Sequence, residues 1–231
     1  MPKADRASVC PGRTADDAAA AAINDLGGWR LSTGDDELAD ALVAAGAEVQ
    51  RRAQVMRLPL SPAGADEPSV TPFVPRPVPL GRDPDDWRPI LPSWHAAFPP
   101  GHPDHLAIGE TESIEFFMRL VDGSDMGVLH RSACVVADPS GHVVAGIMVN
   151  IRPDPPPWGG AWIADIWRDP ALRRSGLGTR LIARAMHQLA QDGLPSLTLA
   201  VTHGNDAALA YERMGFRTVT NWTTVQIPSR P

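Results

Sequence analysis

The sequence predicts an α/β fold, with a mixed, mostly antiparallel sheet flanked by helices. Apolar residues in the second half switch between a period of two and a period near 3.6. The segments so marked follow the order ββ-β-α-β-α-β, which layers helices on a sheet. The composition is also that of a globular chain. It is 43% hydrophobic and 21% charged, near the usual roughly 45–50% and about 25%.

Residues 1–24 read as disordered or loosely helical, because Ala15–Ile23 favours helix but has little to bury. Residues 25–60 read as a β-α-β unit. Thirteen of the 24 prolines fall in residues 59–103. Proline removes a donor and fixes φ, so 61–76 read as a Pro-rich linker and 77–231 as the main domain. Within Asp86–Phe98 a short helix is expected from Trp87, Ile90, Leu91, Trp94 and Phe98. Ser113 reads as the cap of a helix that carries Ile114, Phe117, Leu120 and Val121 on one face. Ser132–Ala137 and His142–Ile151 form a hairpin around Asp138–Gly141. After the stiff loop Asp154–Gly160, Ala161–Arg168 is a third strand. Ser175–Gln191 is a helix with Ile182, Ala185, Met186 and Leu189 at i, i+3, i+4 and i+7. Leu197–Val201 is a strand, Asp206–Met214 a helix stopped by Gly215, and Phe216–Ile227 the last strand.

A weak internal echo accompanies this order. A shift of 169 residues lays Trp29–Pro59 over Thr198–Pro228, matching Gly46 with Gly215 and setting Leu42 against Tyr211. Residues 25–60 are therefore a candidate degenerate half-domain. Their strands also offer an edge through which a homodimer could pair.

Composition excludes several classes of function. A net charge of -6 gives no global basic surface, so nucleic acid is not an expected partner. Lys3 is the only lysine, and the arginine excess reads as coding bias. No apolar run approaches the roughly 18 residues of a membrane span, and Met1–Asp17 lacks the apolar core of a signal peptide. Cys10 and Cys134 give neither metal spacing nor a disulfide framework, which fits the cytoplasm. His95, His102 and His105 with Asp104 match no common metal site, so no metal is expected. Cys134 reads as a core residue, and Trp158 as a candidate lining of an acceptor pocket.

Two motifs carry chemistry. Arg173-Arg174-Ser175-Gly176-Leu177-Gly178 opens an amphipathic helix, and Thr179-Arg180 follow. Glycines admit a ligand close to the backbone, and a helix N-terminus offers unpaired N–H groups with positive dipole character. With three arginines nearby, this is a diphosphate site in physical terms. The second motif runs from Asn205 to Phe216. Asn205 heads a helix on which Ala208, Tyr211 and Gly215 share a face. Tyr211 is the only tyrosine of the chain.

Together, Arg-x-x-Gly-x-Gly at 173–178 and Asn-x-x-Ala-x-x-Tyr-x-x-x-Gly-Phe at 205–216 resemble the GCN5-related N-acetyltransferase (GNAT) family. The likeness covers roughly 77–231 and is strongest over 161–227. It implies that acetyl-CoA lies between Ala161–Arg168 and Leu197–Thr202, with the backbone of Ile166, Trp167 and Arg168 along the pantetheine. The backbone N–H groups of Arg174, Ser175, Gly176, Leu177, Gly178 and Thr179 would hold the pyrophosphate. Arg173 and Ala208 join the cofactor-binding set, Asn205 touches the CoA arm, and Tyr211 acts as general acid at the thioester sulfur. Arg168 departs from the valine usual in the family. Its side chain is expected to face away from the strand pairing.

The general base is open between Asp165 and His203. Strand alternation puts Asp165 on the face of Ile163, beside the implied thioester. His203 follows the next strand. The resemblance thus implies an N-acetyltransferase that moves acetyl from acetyl-CoA to a primary amine of a small molecule by direct attack. The alternative is a non-catalytic acyl-CoA-binding or regulatory module.

Overall fold

A computed structural model describes residues 3–4, 7–62, 67–155, 158–173 and 175–229. Among these the chain runs β1 (Lys3–Ala4), α1 (Ala15–Asp25), β2 (Arg30–Thr33), α2 (Asp36–Ala44), β3 (Glu48–Pro59), β4 (Val74–Pro77), α3 (Pro84–Trp87), α4 (Leu91–Ala97), α5 (Glu110–Val121), β5 (Val128–Leu129), β6 (Cys134–Ala137), β7 (Val143–Arg152), β8 (Gly160–Arg168), α6 (Leu177–Gln191), β9 (Ser196–Thr202), α7 (Ala207–Arg213) and β10 (Arg217–Gln226). A 3-10 turn, Pro170–Leu172, precedes α6. The chain forms two compact units. One holds Met1–Met56, Ala200–Gly204 and Thr218–Pro231, and the other Arg57–Leu199 with Asn205–Arg217.

In the first unit the strands lie in the order β1-β2-β10-β3. β2 and β10 are antiparallel, with Ser32 opposite Thr224 and their hydroxyls 2.9 Å apart. The Ala-rich stretch is a capped helix. The Thr14 hydroxyl accepts from the Asp17 N–H, and the Asp17 carboxylate accepts from the Thr14 N–H. Ala19 of this helix packs with Leu31, Leu38, Leu42, Ala47, Val225 and Ile227. Ala19 is the one buried residue of α1, while Ala20 and Ala21 stay exposed.

In the second unit the order is β9-β8-β7-β6-β4, with β5 on β7. All these pairings are antiparallel except β8 with β9. β4 comes from the Pro-rich stretch, of which Ala63–Asp66 lie outside the described residues. It is an edge strand, and Pro75 and Pro77 stand at alternate positions, where a missing N–H need cost no ladder bond. The core sets Trp87, Ile90, Leu91 and Trp94 of the α3–α4 region and Ile114, Phe117 and Leu120 of α5 against Met148 and Trp167. Helix α5 starts at Glu110, with Gly109 as its cap. Ser113 is buried and bonds the Gly109 carbonyl at 2.7 Å, so the helix begins one turn earlier than its apolar face. Buried Asn150 of β7 ties the end of α5 to the sheet through bonds to Leu120 O and Gly127 O (2.7 and 2.8 Å).

Candidate active site

β8 carries the first part of the site. Met148 of β7 pairs with Asp165, but Val149 pairs with Ile163, so the register slips by one residue at Ala164. Opposed residues of an antiparallel pair share a face, and neighbours along a strand do not. Asp165 therefore lies on the Met148 face and Ile163 on the other. This corrects the alternation argument, which put the two on one face: a bulge adds a residue and inverts the parity.

On that face Asp165 meets α4. The Trp94 indole N–H donates to its carboxylate at 2.7 Å, and the Ile166 N–H donates too. Trp94 is fixed by rings on every side. It stacks on Phe116 (5.7 Å) and meets Phe117 and Phe98 edge-on. The adjacent Ser93 hydroxyl accepts from the Trp167 indole N–H at 3.1 Å. A Cβ at Gly146 would collide with the Trp167 ring, so glycine is required for that ring to lie there. Burial outweighs the two donors and pushes the Asp165 carboxyl up to about 7, with the Asp104 charge adding to the effect.

β8 pairs with β9 only from Ala161 to Ile163. Among the described residues, Asp165–Arg168 keep their β7 partners and have none in β9, so one backbone edge of Ile166–Arg168 lacks a ladder. That is the edge an extended amide chain could use. The Trp167 side chain is core, and Arg168 bonds the Asp169 carbonyl.

α6 begins past this edge. Gly176 sits at φ +70°, a left-handed position, and a Cβ at Gly176 or Gly178 would meet nothing within 4 Å. Leu177 N–H is taken by the Ser175 hydroxyl and Arg180 N–H by the Gly176 carbonyl. The Gly178 and Thr179 N–H groups have no partner among the described residues, and the buried Arg180 Nε is also unpartnered. Arg180 otherwise holds the Thr71 and Ser175 carbonyls. Arg173 lies within electrostatic reach of Arg168 and makes an exposed, 4.0 Å pair with Asp206. Open space, donors without a partner among the described residues, and cations suit a diphosphate. Arg174 lies outside the described residues.

α7 completes the site. The Asn205 side-chain oxygen accepts from the Ala207 N–H at 2.8 Å, and its amide donates to Asp104 at 2.8 Å. Ala208 is half-buried on this helix. Tyr211, also half-buried, leans on Phe216 at 5.9 Å. Its hydroxyl makes no hydrogen bond among the described residues. Burial and the charges of Asp104 and Asp165 push the phenol well above its usual range, so it stays protonated at neutral pH. Asp165, Tyr211 and Asp104 thus belong to one electrostatic group. His203 is exposed, with its backbone N–H on the Arg52 carbonyl.

Sequence reasoning missed Trp94 and Asp104 here. Trp94 was legible as an apolar position, and its N–H was the overlooked signal. The nearby histidines are spent locally: His102 Nδ1 accepts from the Asp104 N–H, and His105 Nδ1 meets the Phe98 carbonyl. Among the described residues no three His, Cys, Asp or Glu could hold a metal ion. Trp158 stacks on Trp162 (6.4 Å), and Arg152 lies over the Trp162 ring.

A model of the acetyltransferase (GNAT) family matches residues 91–216. No curated relative matches by sequence. Several solved structures share the fold. One is a GCN5-related N-acetyltransferase from Sphaerobacter thermophilus, at 17% identity and TM-score 0.59, with 89% of this chain covering 61% of that one. Another is a tandem GNAT protein from the clavulanic acid biosynthesis pathway, at 15% and 0.61, with 100% covering 76%. A third is a GCN5-related N-acetyltransferase from Kribbella flavida, at 15% and 0.52, with 91% covering 72%. The chain spans about three fifths of the first of these. With a mixed sheet that parts beside a glycine-headed helix, and a family model matching more than half its length, the chain belongs to the acetyltransferase (GNAT) family.

Proposed function

We propose that the chain moves the acetyl group of acetyl-CoA to a primary amine of a small molecule, with Asp165 as general base and Tyr211 as general acid. The observation that carries this is that the charge of Asp165, on the strand that loses its β9 partner, bears on the phenol of Tyr211 on α7. Acetyl-CoA, when bound, supplies a thioester whose thiolate is a weak base, near pKa ~8.5 by analogy with cysteine. The α6 N-terminus, with Arg173 and the Arg180 Nε, suits its pyrophosphate, and the open edge of Ile166, Trp167 and Arg168 suits its pantetheine amides.

A primary ammonium, near pKa ~10, must lose a proton before its nitrogen can attack. A carboxylate with a pKa of about 7 holds that proton far better than an ordinary aspartate. Once Asp165 is neutral, one of the two charges that raise the Tyr211 phenol is gone. The phenol becomes a stronger acid as the base is filled, so base and acid act in sequence. We read residues 25–60 as a degenerate half of the same kind of domain, and the protein as cytoplasmic; its two cysteines are free. Among the described residues no helix is long and apolar enough to cross a membrane.

Calorimetry with acetyl-CoA, followed by thiol release over a panel of primary amines, tests this reading. Binding with release is expected. Absence of binding at millimolar acetyl-CoA overturns the reading. Binding without release from any amine favours a non-catalytic acyl-CoA module.

A further inference from the structure

Asp104 lies between α4 and α5, in a turn that closes on itself. His102 N–H bonds Pro99 O, His105 N–H bonds His102 O, and Asp104 N–H bonds His102 Nδ1. The turn is therefore fixed by its own backbone, and the half-buried Asp104 carboxylate projects from a rigid base. The Asn205 amide holds that carboxylate at 2.8 Å and so ties the turn to the head of α7. Three elements converge here: β8 with Asp165, α7 with Tyr211, and the turn with Asp104. The Asp104 charge bears on the carboxyl of Asp165 and on the phenol of Tyr211, and its bond to Asn205 anchors it at the head of the Tyr211 helix. Tyr211, half-buried, brings a hydroxyl with no hydrogen bond among the described residues. Phe98 and Phe116, half-buried around Trp94, supply an apolar wall beside the carboxylates.

Deepening the acyltransferase reading, on which it rests, we propose that Asp104 reads the charge of the acceptor and selects diammonium compounds over aminocarboxylates. One ammonium would face Asp165 as the reacting amine, and the second positive charge would meet Asp104 across an apolar spacer. Opposite charges a few ångströms apart in a half-buried site attract strongly, and a carboxylate in the same place would be repelled. Asn205 acts as a positioning residue that fixes the Asp104 oxygen.

Because Tyr211 is the only tyrosine, chain grown with 3-fluorotyrosine carries one fluorine nucleus, at this site. Its resonance is followed while CoA is added, then 1,4-diaminobutane or 4-aminobutyrate. CoA alone is expected to move the signal. Failure of that step counts against the acyltransferase reading, while the amine titrations still judge Asp104. The diammonium is expected to act at tenfold or more lower concentration than the aminocarboxylate. Asp104→Asn should remove most of that preference and keep the response to CoA. Raising salt from 0.05 to 0.5 M should also shrink the preference in the unaltered chain, since charge attraction is screened. No response to the diammonium, equal responses to the two amines, a preference unchanged in D104N, or one indifferent to salt would each overturn the proposal.

Discussion

The passages β2-α2-β3 and β9-α7-β10 share a layout of strand, helix, glycine and strand at an offset of 169 residues. Gly46 and Gly215 follow the two helices with φ of 103° and 100°. Asp35 caps α2 through bonds to the Glu37 and Leu38 N–H groups, and Asn205 bonds the Ala207 N–H at the head of α7. The difference lies in the side chains. Leu42 is 1% exposed among Ala19, Leu31, Leu38 and Val225. At the matching position Tyr211 is half-buried and feels two carboxylates. The Asp35 oxygen is spent on its own helix, whereas Asn205 has an amide left over for Asp104. The two passages share a layout, and only in the second do flanking segments bring charge against the mid-helix residue.

The largest expected effect falls on turnover. Asp165→Asn should lower it about 10²–10⁴-fold, the usual contribution of a positioned base. The base works only when ionised, so the activity of the unaltered chain should rise as pH rises through about 7. That limb should vanish from the pH–rate profile of D165N, and a retained limb would detach Asp165 from the reaction.

Next comes stability at the two matched positions. Leu42→Ala removes a fully buried side chain and should cost about 2–5 kcal/mol in urea unfolding. Tyr211→Phe should cost less than about 1 kcal/mol, since the hydroxyl it removes bonds nothing among the described residues. A reversed order would break the contrast between core and site.

Asp165→Asn should also stabilise the fold at alkaline pH. The folded carboxyl, at about 7, holds its proton more tightly than the ordinary 3.8. Its contribution is therefore full below about pH 4 and is lost as pH rises through 7. An amide avoids that loss and can still accept from Trp94. D165N should melt above the unaltered chain at pH 8, by about 2–4 °C for each kcal/mol relieved, with the gap closing toward pH 4.

The smallest difference separates the two glycines. Alanine at either strained φ should cost about 1–2 kcal/mol. Gly215→Ala should cost the more, because its Cβ would stand 3.1 Å from Leu58 Cδ1 while one at Gly46 meets nothing within 4 Å.

What was legible in the sequence was local. The α6 and α7 motifs depend on spacing along one helix, and Gly176, Gly178, Asn205 and Tyr211 follow from it. The face of Asp165 was not legible, because the bulge at Ala164 exists only in the pairing with β7. Nor was the start of α5: Gly109 supplies the cap, and Ser113, which reads as one, turns inward to Gly109 and His95. Asp104 stood in a proline-rich stretch among histidines that drew attention to metals. Its bond to Asn205 spans 101 residues, and no periodicity reports such a contact.

The most direct test of the central claim compares the unaltered chain with Tyr211→Phe. Thiol release from acetyl-CoA would be measured with a primary amine that supports turnover, and acetyl-CoA affinity by calorimetry. The account predicts release slowed about 10²–10⁴-fold with affinity unchanged. Equal rates in the two proteins would contradict it.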